Sequence, residues 1–74
     1  MDILKVFANN VKKYRKSQRF SQKKLAELTG LHRTYICSIE GGKRSISLDN
    51  IQKLADALNI ETYKLFIECE GREE

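Results

Sequence analysis

The chain has 74 residues, of which 41% are hydrophobic and 32% charged, and it contains no proline. A chain of this length forms one small domain that buries only about 60% of its unfolded surface, so its stability depends on close packing or self-association. No apolar run approaches the roughly 20 residues of a membrane span, and the first residues lack a signal-peptide pattern. We therefore expect a cytoplasmic protein without membrane contact, in which the thiols of Cys37 and Cys69 are reduced.

The net charge of +4 is unevenly distributed along the chain. Residues 1–24 carry eight basic side chains against one acidic one, whereas residues 61–74 carry two basic against five acidic. Clustered Lys and Arg supply the sequence-independent part of nucleic-acid binding. A charged helix face is more often simply solvated. Here the basic segment adjoins residues 21–40, where a predicted helix has a polar, hydrogen-bonding face, and this favours a role in binding nucleic acid.

The first helix is predicted over residues 2–18, with Asp2 as its N-cap. Apolar residues recur along it at the spacing of one α-helical stripe. This stripe consists of Ile3, Phe7, Val11 and Tyr14. Lysines at positions 5, 12, 13 and 16 occupy the opposite face.

Residues 21–40 have the pattern of two short helices joined by a tight turn, with Ser21 as the first cap and Gly30 in the turn. The second of these helices is predicted to run from about His32 to Glu40. The residues expected to point inward are Leu25, Ala26, Leu28, Ile36 and Ile39. The outward face of the second helix carries Arg33, Thr34, Cys37 and Ser38. Such hydrogen-bonding side chains suit a helix that reads base edges, so the pattern predicts a DNA-binding protein.

Paired glycines at positions 41 and 42 end that helix, and a basic loop follows over residues 43–46. The next helix is predicted to begin after the cap Ser47 and to stop at Asn59. Its inward stripe is Leu48, Ile51, Leu54, Ala55 and Leu58.

A last helix is predicted over Thr62 to Cys69, followed by an acidic tail at residues 70–74 that we expect to fray. The apolar residues of this helix point in too many directions for one small core to bury them all. We therefore predict a dimer interface there. Its residues are Ile60, Tyr63, Phe66 and Ile67. The expected fold is all-α, with five short helices, no strands and a single domain over residues 1–69.

The sequence resembles the XRE-type helix-turn-helix family, which includes the lambdoid phage repressors and Cro proteins, over about residues 5–67. The residues that carry this resemblance are Ser21-Gln22, Leu25-Ala26, Gly30-Leu31, Tyr35-Ile36, Ile39-Glu40, Gly42-Lys43-Arg44, Leu48, Ile51, Leu54-Ala55, Leu58, Ile60 and Leu65-Phe66. The strings Arg33-Thr34-Tyr35-Ile36 and Ser38-Ile39-Glu40, with Lys43-Arg44, Ile46 and Leu48, look most like the controller proteins of restriction–modification systems. That resemblance implies a lambda-repressor-like domain that dimerises on near-palindromic operators in double-stranded DNA and represses or activates transcription.

The resemblance also implies roles for individual residues. Base edges would be read by Arg33, Thr34 and Ser38. The DNA backbone or the shape of the groove would be contacted by Gln22, Tyr35, Lys43, Arg44, Ser45 and Asn50. Arg15 and Glu40 match a structural ion pair that joins the first helix to the end of the recognition helix. RNA polymerase would be a further partner of an activator, but of the two acidic positions used by lambdoid activators this chain has Lys23 at one and Glu27 at the other.

Enzymatic function finds little support, because His32 has no carboxylate or thiol partner at a useful spacing. His32 and Cys37 also lack the paired spacing of a zinc site, so we expect neither a metal nor a cofactor. Two alternatives stay open. The first alternative is a phage-type repressor. The second is a protein-interaction module, an antitoxin or adaptor, that has kept the fold without the DNA-reading function.

Overall fold

The computed structural model describes residues 1–68 and is all-helical over that range, as the sequence predicts. Its elements are α1 (Ile3–Ser17), α2 (Gln22–Thr29), α3 (Arg33–Glu40), α4 (Leu48–Leu58) and a 3-10 helix (Thr62–Phe66). No strand occurs within the described residues. The predicted end of the last helix at Cys69 and the acidic tail at residues 70–74 lie outside them.

The prediction of five α-helices is wrong at the last element, which is a five-residue 3-10 helix followed by extended backbone at Ile67. The buried side chain of Asn10 explains the change. Its Nδ2 donates to the carbonyl oxygen of Leu65 at 2.8 Å and to that of Ile67 at 3.0 Å. An α-helix would direct these carbonyls along its own axis, whereas Asn10 draws them onto α1.

Side-chain caps set the beginnings of the helices. The predicted caps are confirmed, since Asp2, Ser21 and Ser47 each accept a hydrogen bond from a backbone N–H in the first turn. His32 is a fourth cap, because its Nδ1 accepts from the N–H of Thr34 at 3.1 Å. Helix α3 therefore begins one residue later than predicted, at Arg33.

Two helix ends lie where the sequence predicts them, and both use left-handed backbone. Gly30 closes α2 with φ of +76°, and Asn59 closes α4 with φ of +57°. The turn after α2 is held further by Thr29, whose buried Oγ1 donates to the carbonyl of Leu25 and accepts from the N–H of Leu31 at 3.2 Å. These contacts set the angle at which α3 leaves α2.

One core joins all five elements. Its buried side chains include Phe7, Val11, Leu25, Ile36, Ile39, Ile51, Leu54, Leu58 and Leu65. Partly buried residues at its margin include Tyr14, Phe20, Tyr35, Ile46 and Ile60. Because Ile36 and Ile39 are sunk in this core, the opposite side of α3 is turned to solvent.

Three residues predicted to point inward are exposed instead. Leu48 is 83% exposed, Ile3 is 47% exposed and Leu28 is 46% exposed. Leu48 and Ile3 are each the first residue of a helix, beyond the edge of the core. At the start of α4, Ile46 before the cap packs against the core in place of Leu48.

A buried ion pair connects α1 with the last residue of α3. Arg15 Nε donates to Glu40 Oε2 at 2.6 Å, and Arg15 Nη2 donates to Glu40 Oε1 at 2.9 Å. Arg15 Nη1 also donates to the carbonyl of Phe20 at 2.8 Å, and Gln22 Nε2 donates to Glu40 Oε1 at 3.1 Å. Both charged side chains are almost fully buried. The pair therefore holds α1, the start of α2 and the end of α3 in one arrangement.

We predict that Glu40→Ala lowers the free energy of unfolding by roughly 3–5 kcal/mol, because it leaves the Arg15 guanidinium buried without a counter-charge. Urea unfolding of both proteins measures the difference. The matched control is Glu27→Ala, which removes an exposed carboxylate from α2 and should change stability by no more than about 0.5 kcal/mol. A Glu40→Ala protein as stable as the control would remove the pair from the account of stability.

We predict that Asn10→Ala destabilises the fold by about 1–3 kcal/mol, because the carbonyls of Leu65 and Ile67 lose their donor. Asn9→Ala is the control, since Asn9 is the exposed neighbour in the same helix and alanine is the better helix former. Urea unfolding should separate the two variants. Equal stabilities would show that Asn10 does not hold the C-terminal segment.

Candidate nucleic-acid interface

The exposed side of α3 carries the residues predicted to read bases. Arg33 and Thr34 lie in its first turn and are exposed, and Ser38 follows one turn after Thr34 and is half-buried. Residues one turn apart on a helix are neighbours on its surface. The structure thus places Thr34 and Ser38 side by side and leaves Arg33 accessible in the same turn as Thr34. We call these three residues the polar strip of α3, and they offer a guanidinium and two hydroxyls as hydrogen-bonding groups.

Three residues predicted to contact the DNA backbone or groove lie against one another beside that strip. Asn50 Nδ2 donates to Tyr35 Oη at 3.0 Å, joining the start of α4 to α3. The guanidinium carbon of Arg44 lies 5.1 Å from the centroid of the Tyr35 ring, a cation–π distance. Tyr35 and Asn50 are half-buried and Arg44 is exposed.

The remaining predicted backbone contacts lie in exposed or partly exposed positions. Lys43 and Ser45 are exposed in the loop between α3 and α4. Gln22 is half-buried at the first position of α2, and one of its amide hydrogens is directed at Glu40. That bond fixes the orientation of the Gln22 amide relative to the end of α3.

An open cleft of about 360 Å³ lies between α1, α2 and α3. Its lining includes Lys12 and Lys16 from α1, Gln22 from α2 and Cys37 from α3. The Glu40 carboxylate in its wall is already bound by Arg15 and Gln22, so the two lysines dominate the local charge. Cys37 is exposed with a free thiol.

Lys12 and Lys16 received no individual role from the sequence, although they belong to the basic face of the first helix. Their spacing of four residues places both on one side of α1. That spacing is the signal that could have assigned them to a common surface. Only the fold shows that this surface borders α3 and not the opposite side of the molecule.

A second accessible surface is apolar and lies at the C-terminal segment. Tyr63 is 57% exposed, Ile67 is 54% exposed, and Ile60 is half-buried. Phe66 is partly exposed, with its ring centroid 5.3 Å from that of Phe7. The four residues predicted for a dimer interface thus include two that are mainly solvent-accessible and one, Phe66, that also supports the core.

Within residues 1–68, no helix is long and apolar enough to cross a membrane. The same part of the chain contains no group of three or more His, Cys, Asp or Glu side chains that could hold a metal ion.

Comparison with known proteins gives a consistent family. The profile of the helix-turn-helix family HTH_3 matches residues 11–65. The control protein C.SmaI of Serratia marcescens is 48% identical over 65 residues, which cover 88% of this chain and 77% of that protein.

Solved structures give the same result. The restriction-modification controller protein C.AhdI from Aeromonas hydrophila is 44% identical with a TM-score of 0.83, over 85% of this chain and 96% of that one. A hypothetical transcription factor from Neisseria is 37% identical with a TM-score of 0.88, over 90% of this chain and 75% of that one. On these grounds, the chain belongs to the XRE-type helix-turn-helix family and is similar to restriction–modification controller proteins.

Proposed function

We propose that this protein is a sequence-specific DNA-binding regulator of transcription that acts as a restriction–modification controller protein, in the cytoplasm and as a homodimer. The observation that carries the proposal is the polar strip of α3, with Arg33, Thr34 and Ser38 presented to solvent by a fold shared with controller proteins. The family supports a binding role and not an enzymatic one. A protein-interaction module would have no need for this strip.

Sequence readout is assigned to α3 in the major groove. The Arg33 guanidinium can donate two hydrogen bonds to the O6 and N7 atoms of guanine. Thr34 can contact a thymine methyl, and Ser38 can exchange a hydrogen bond with a base edge. The buried ion pair at the end of α3 would keep these side chains in register.

Phosphate binding is assigned to the groups that flank α3. Lys12, Lys16 and Gln22 lie on one side, around the cleft, and Lys43 and Ser45 lie on the other, in the loop. Contacts of this kind fix the position of a protein on the duplex without reading its sequence. The bond from Gln22 to Glu40 supports a role for Gln22 in setting the register.

Dimerisation is assigned to the apolar C-terminal surface, Ile60, Tyr63, Phe66 and Ile67. A second copy would cover this surface and bury side chains that a monomer leaves in water. Two copies related by a two-fold axis would present two α3 helices to successive major grooves, about 34 Å apart. The operator would then be a near-palindrome with half-sites roughly one helical turn apart.

Repression is the direction of regulation that the surface of α2 favours. An RNA polymerase contact of the lambdoid kind would use acidic side chains on this helix. Lys23 and Glu27 are both exposed and opposite in charge, so half of such a patch is missing.

We predict that Arg33→Ala weakens binding by about 1–3 kcal/mol and relaxes the preference at one base pair in each half-site. The test begins by selecting duplexes from a random pool with the wild-type protein and proceeds to gel shifts with single-base variants of the selected site. An unchanged base preference would show that Arg33 does not read sequence. A wild-type protein that selects no duplex even at low salt would overturn the proposed function and leave the protein-interaction module.

We predict that Lys43→Ala weakens binding to selected and unselected duplexes alike and reduces the slope of log K against log salt by about one. Lys53→Ala is the matched control, because it removes the same charge from an exposed position on α4. The control should leave the slope unchanged. A loss confined to the selected sequence would contradict the assignment of Lys43 to phosphate.

We predict that Ile67→Glu converts the protein to a monomer and abolishes tight DNA binding, because a carboxylate would be buried in an apolar interface. Sedimentation equilibrium measures the mass directly. Leu48→Glu is the control, since Leu48 is also an exposed apolar residue but lies at the start of α4. If Ile67→Glu and the control sediment alike as dimers, the interface lies elsewhere.

A further inference from the structure

Tyr35 is held in place on two sides by residues outside its own helix. Its hydroxyl oxygen accepts a hydrogen bond from Asn50 Nδ2 at 3.0 Å. The guanidinium of Arg44 covers the ring at 5.1 Å from the centroid. The ring is half-buried and packs against the margin of the core. Its orientation is thus set by the loop and by α4 as well as by α3.

Asn50 is itself fixed by the cap of α4. Ser47 Oγ accepts from the backbone N–H of Asn50 at 3.2 Å. Asn50 therefore sits in the first turn of α4, and its amide reaches across to α3. A chain of contacts runs from the Ser47 cap through Asn50 to the Tyr35 hydroxyl, so the position of α4 determines where that hydroxyl lies.

The number of donors and acceptors on the Tyr35 hydroxyl determines which further hydrogen bond it can make. A tyrosine hydroxyl has one hydrogen to donate and an oxygen that accepts, whereas an amide nitrogen only donates. Because the oxygen of Tyr35 accepts from Asn50, its own hydrogen is directed elsewhere. The acceptors that a duplex offers are phosphate oxygens and, in the major groove, the O6 and N7 atoms of purines and the O4 of thymine.

We propose that Asn50 is a positioning residue that orients the Tyr35 hydroxyl as a hydrogen-bond donor to DNA, so that Tyr35 and not Asn50 contacts the duplex. This assignment rests on the proposed function. It replaces the role of direct phosphate ligand implied for Asn50 by the family resemblance. The half-buried Asn50 amide directs one of its two Nδ2 hydrogens at Tyr35, and that bond fixes its orientation toward α3. Arg44 restricts the ring from its face and supports the same orientation.

The test is a double-mutant cycle on DNA binding with Tyr35→Phe and Asn50→Ala, using the duplex selected by the wild-type protein. Each single substitution should weaken binding about tenfold, the size of one lost hydrogen bond to an anionic or strongly accepting group. The double variant should be no weaker than either single variant, because Asn50 acts through the hydroxyl that Tyr35→Phe removes. Gln52→Ala, at an exposed position on the same helix, is the control and should bind as the wild type does.

Two measurements on the protein without DNA distinguish a loss of DNA binding from a loss of folding. Each variant should unfold within a few degrees of the wild type, and Asn50→Ser takes the place of Asn50→Ala if the latter does not fold. The second measurement compares NMR spectra of the wild type and Tyr35→Phe. The signals of the Asn50 side-chain amide should differ between them, because the variant lacks the hydroxyl that accepts from this amide.

Independent losses, with the double variant about a hundredfold weaker than the wild type, would show that Asn50 binds DNA itself and would overturn the assignment. An Asn50→Ala protein with wild-type affinity would also overturn it. Both results leave the proposed function intact, since the wild-type protein would still bind its duplex. A wild-type protein that selects no duplex would instead overturn the proposed function, and this assignment with it.

Discussion

The arrangement of α3, the helix proposed to read bases, depends on one buried interaction, the ion pair between Arg15 and Glu40. Two charges taken out of water are stable only when their geometry is good and their remaining hydrogen-bonding groups are satisfied. Here both conditions hold, because the pair is bidentate and the carbonyl of Phe20 and the amide of Gln22 complete it. The end of α3 is thereby attached to α1 and to the start of α2, so the strip that would read bases has a fixed position relative to Gln22 and the first helix.

Buried polar side chains set the course of the backbone at two points in this small fold. Asn10 fixes where the chain leaves the 3-10 helix, and Thr29 fixes the turn before α3. Apolar packing alone would not distinguish between closely related arrangements of such short helices, because the hydrophobic effect is non-directional. Both groups also set the geometry of a surface: Asn10 that of the proposed dimer interface, and Thr29 that of α3. The half-buried Asn50 orients Tyr35 in a similar way.

Local sequence patterns predict where the helices begin but not which residues lie at the edge of the core. The helix starts at Asp2, Ser21 and Ser47 follow from local chemistry, since a short polar side chain satisfies N–H groups within its own first turn. Leu48 and Ile3 are predicted to point inward but are exposed, because an apolar helical stripe does not show where the core ends. The last helix was predicted too long because the residue that draws its carbonyls away, Asn10, lies 55 positions earlier in the chain.

By itself, the sequence determined the all-α class, three of the helix caps and the polar face of α3. Its family resemblance proposed the residues of the candidate interface. These are local patterns, and local patterns depend on neighbours within a few positions. Only the tertiary structure decided that Lys12 and Lys16 border the same cleft as Gln22, and that Asn50 donates to Tyr35. The reason is physical: a side chain's hydrogen-bond partner is chosen by which groups the packed core brings within about 3 Å, and no spacing along the chain encodes that distance.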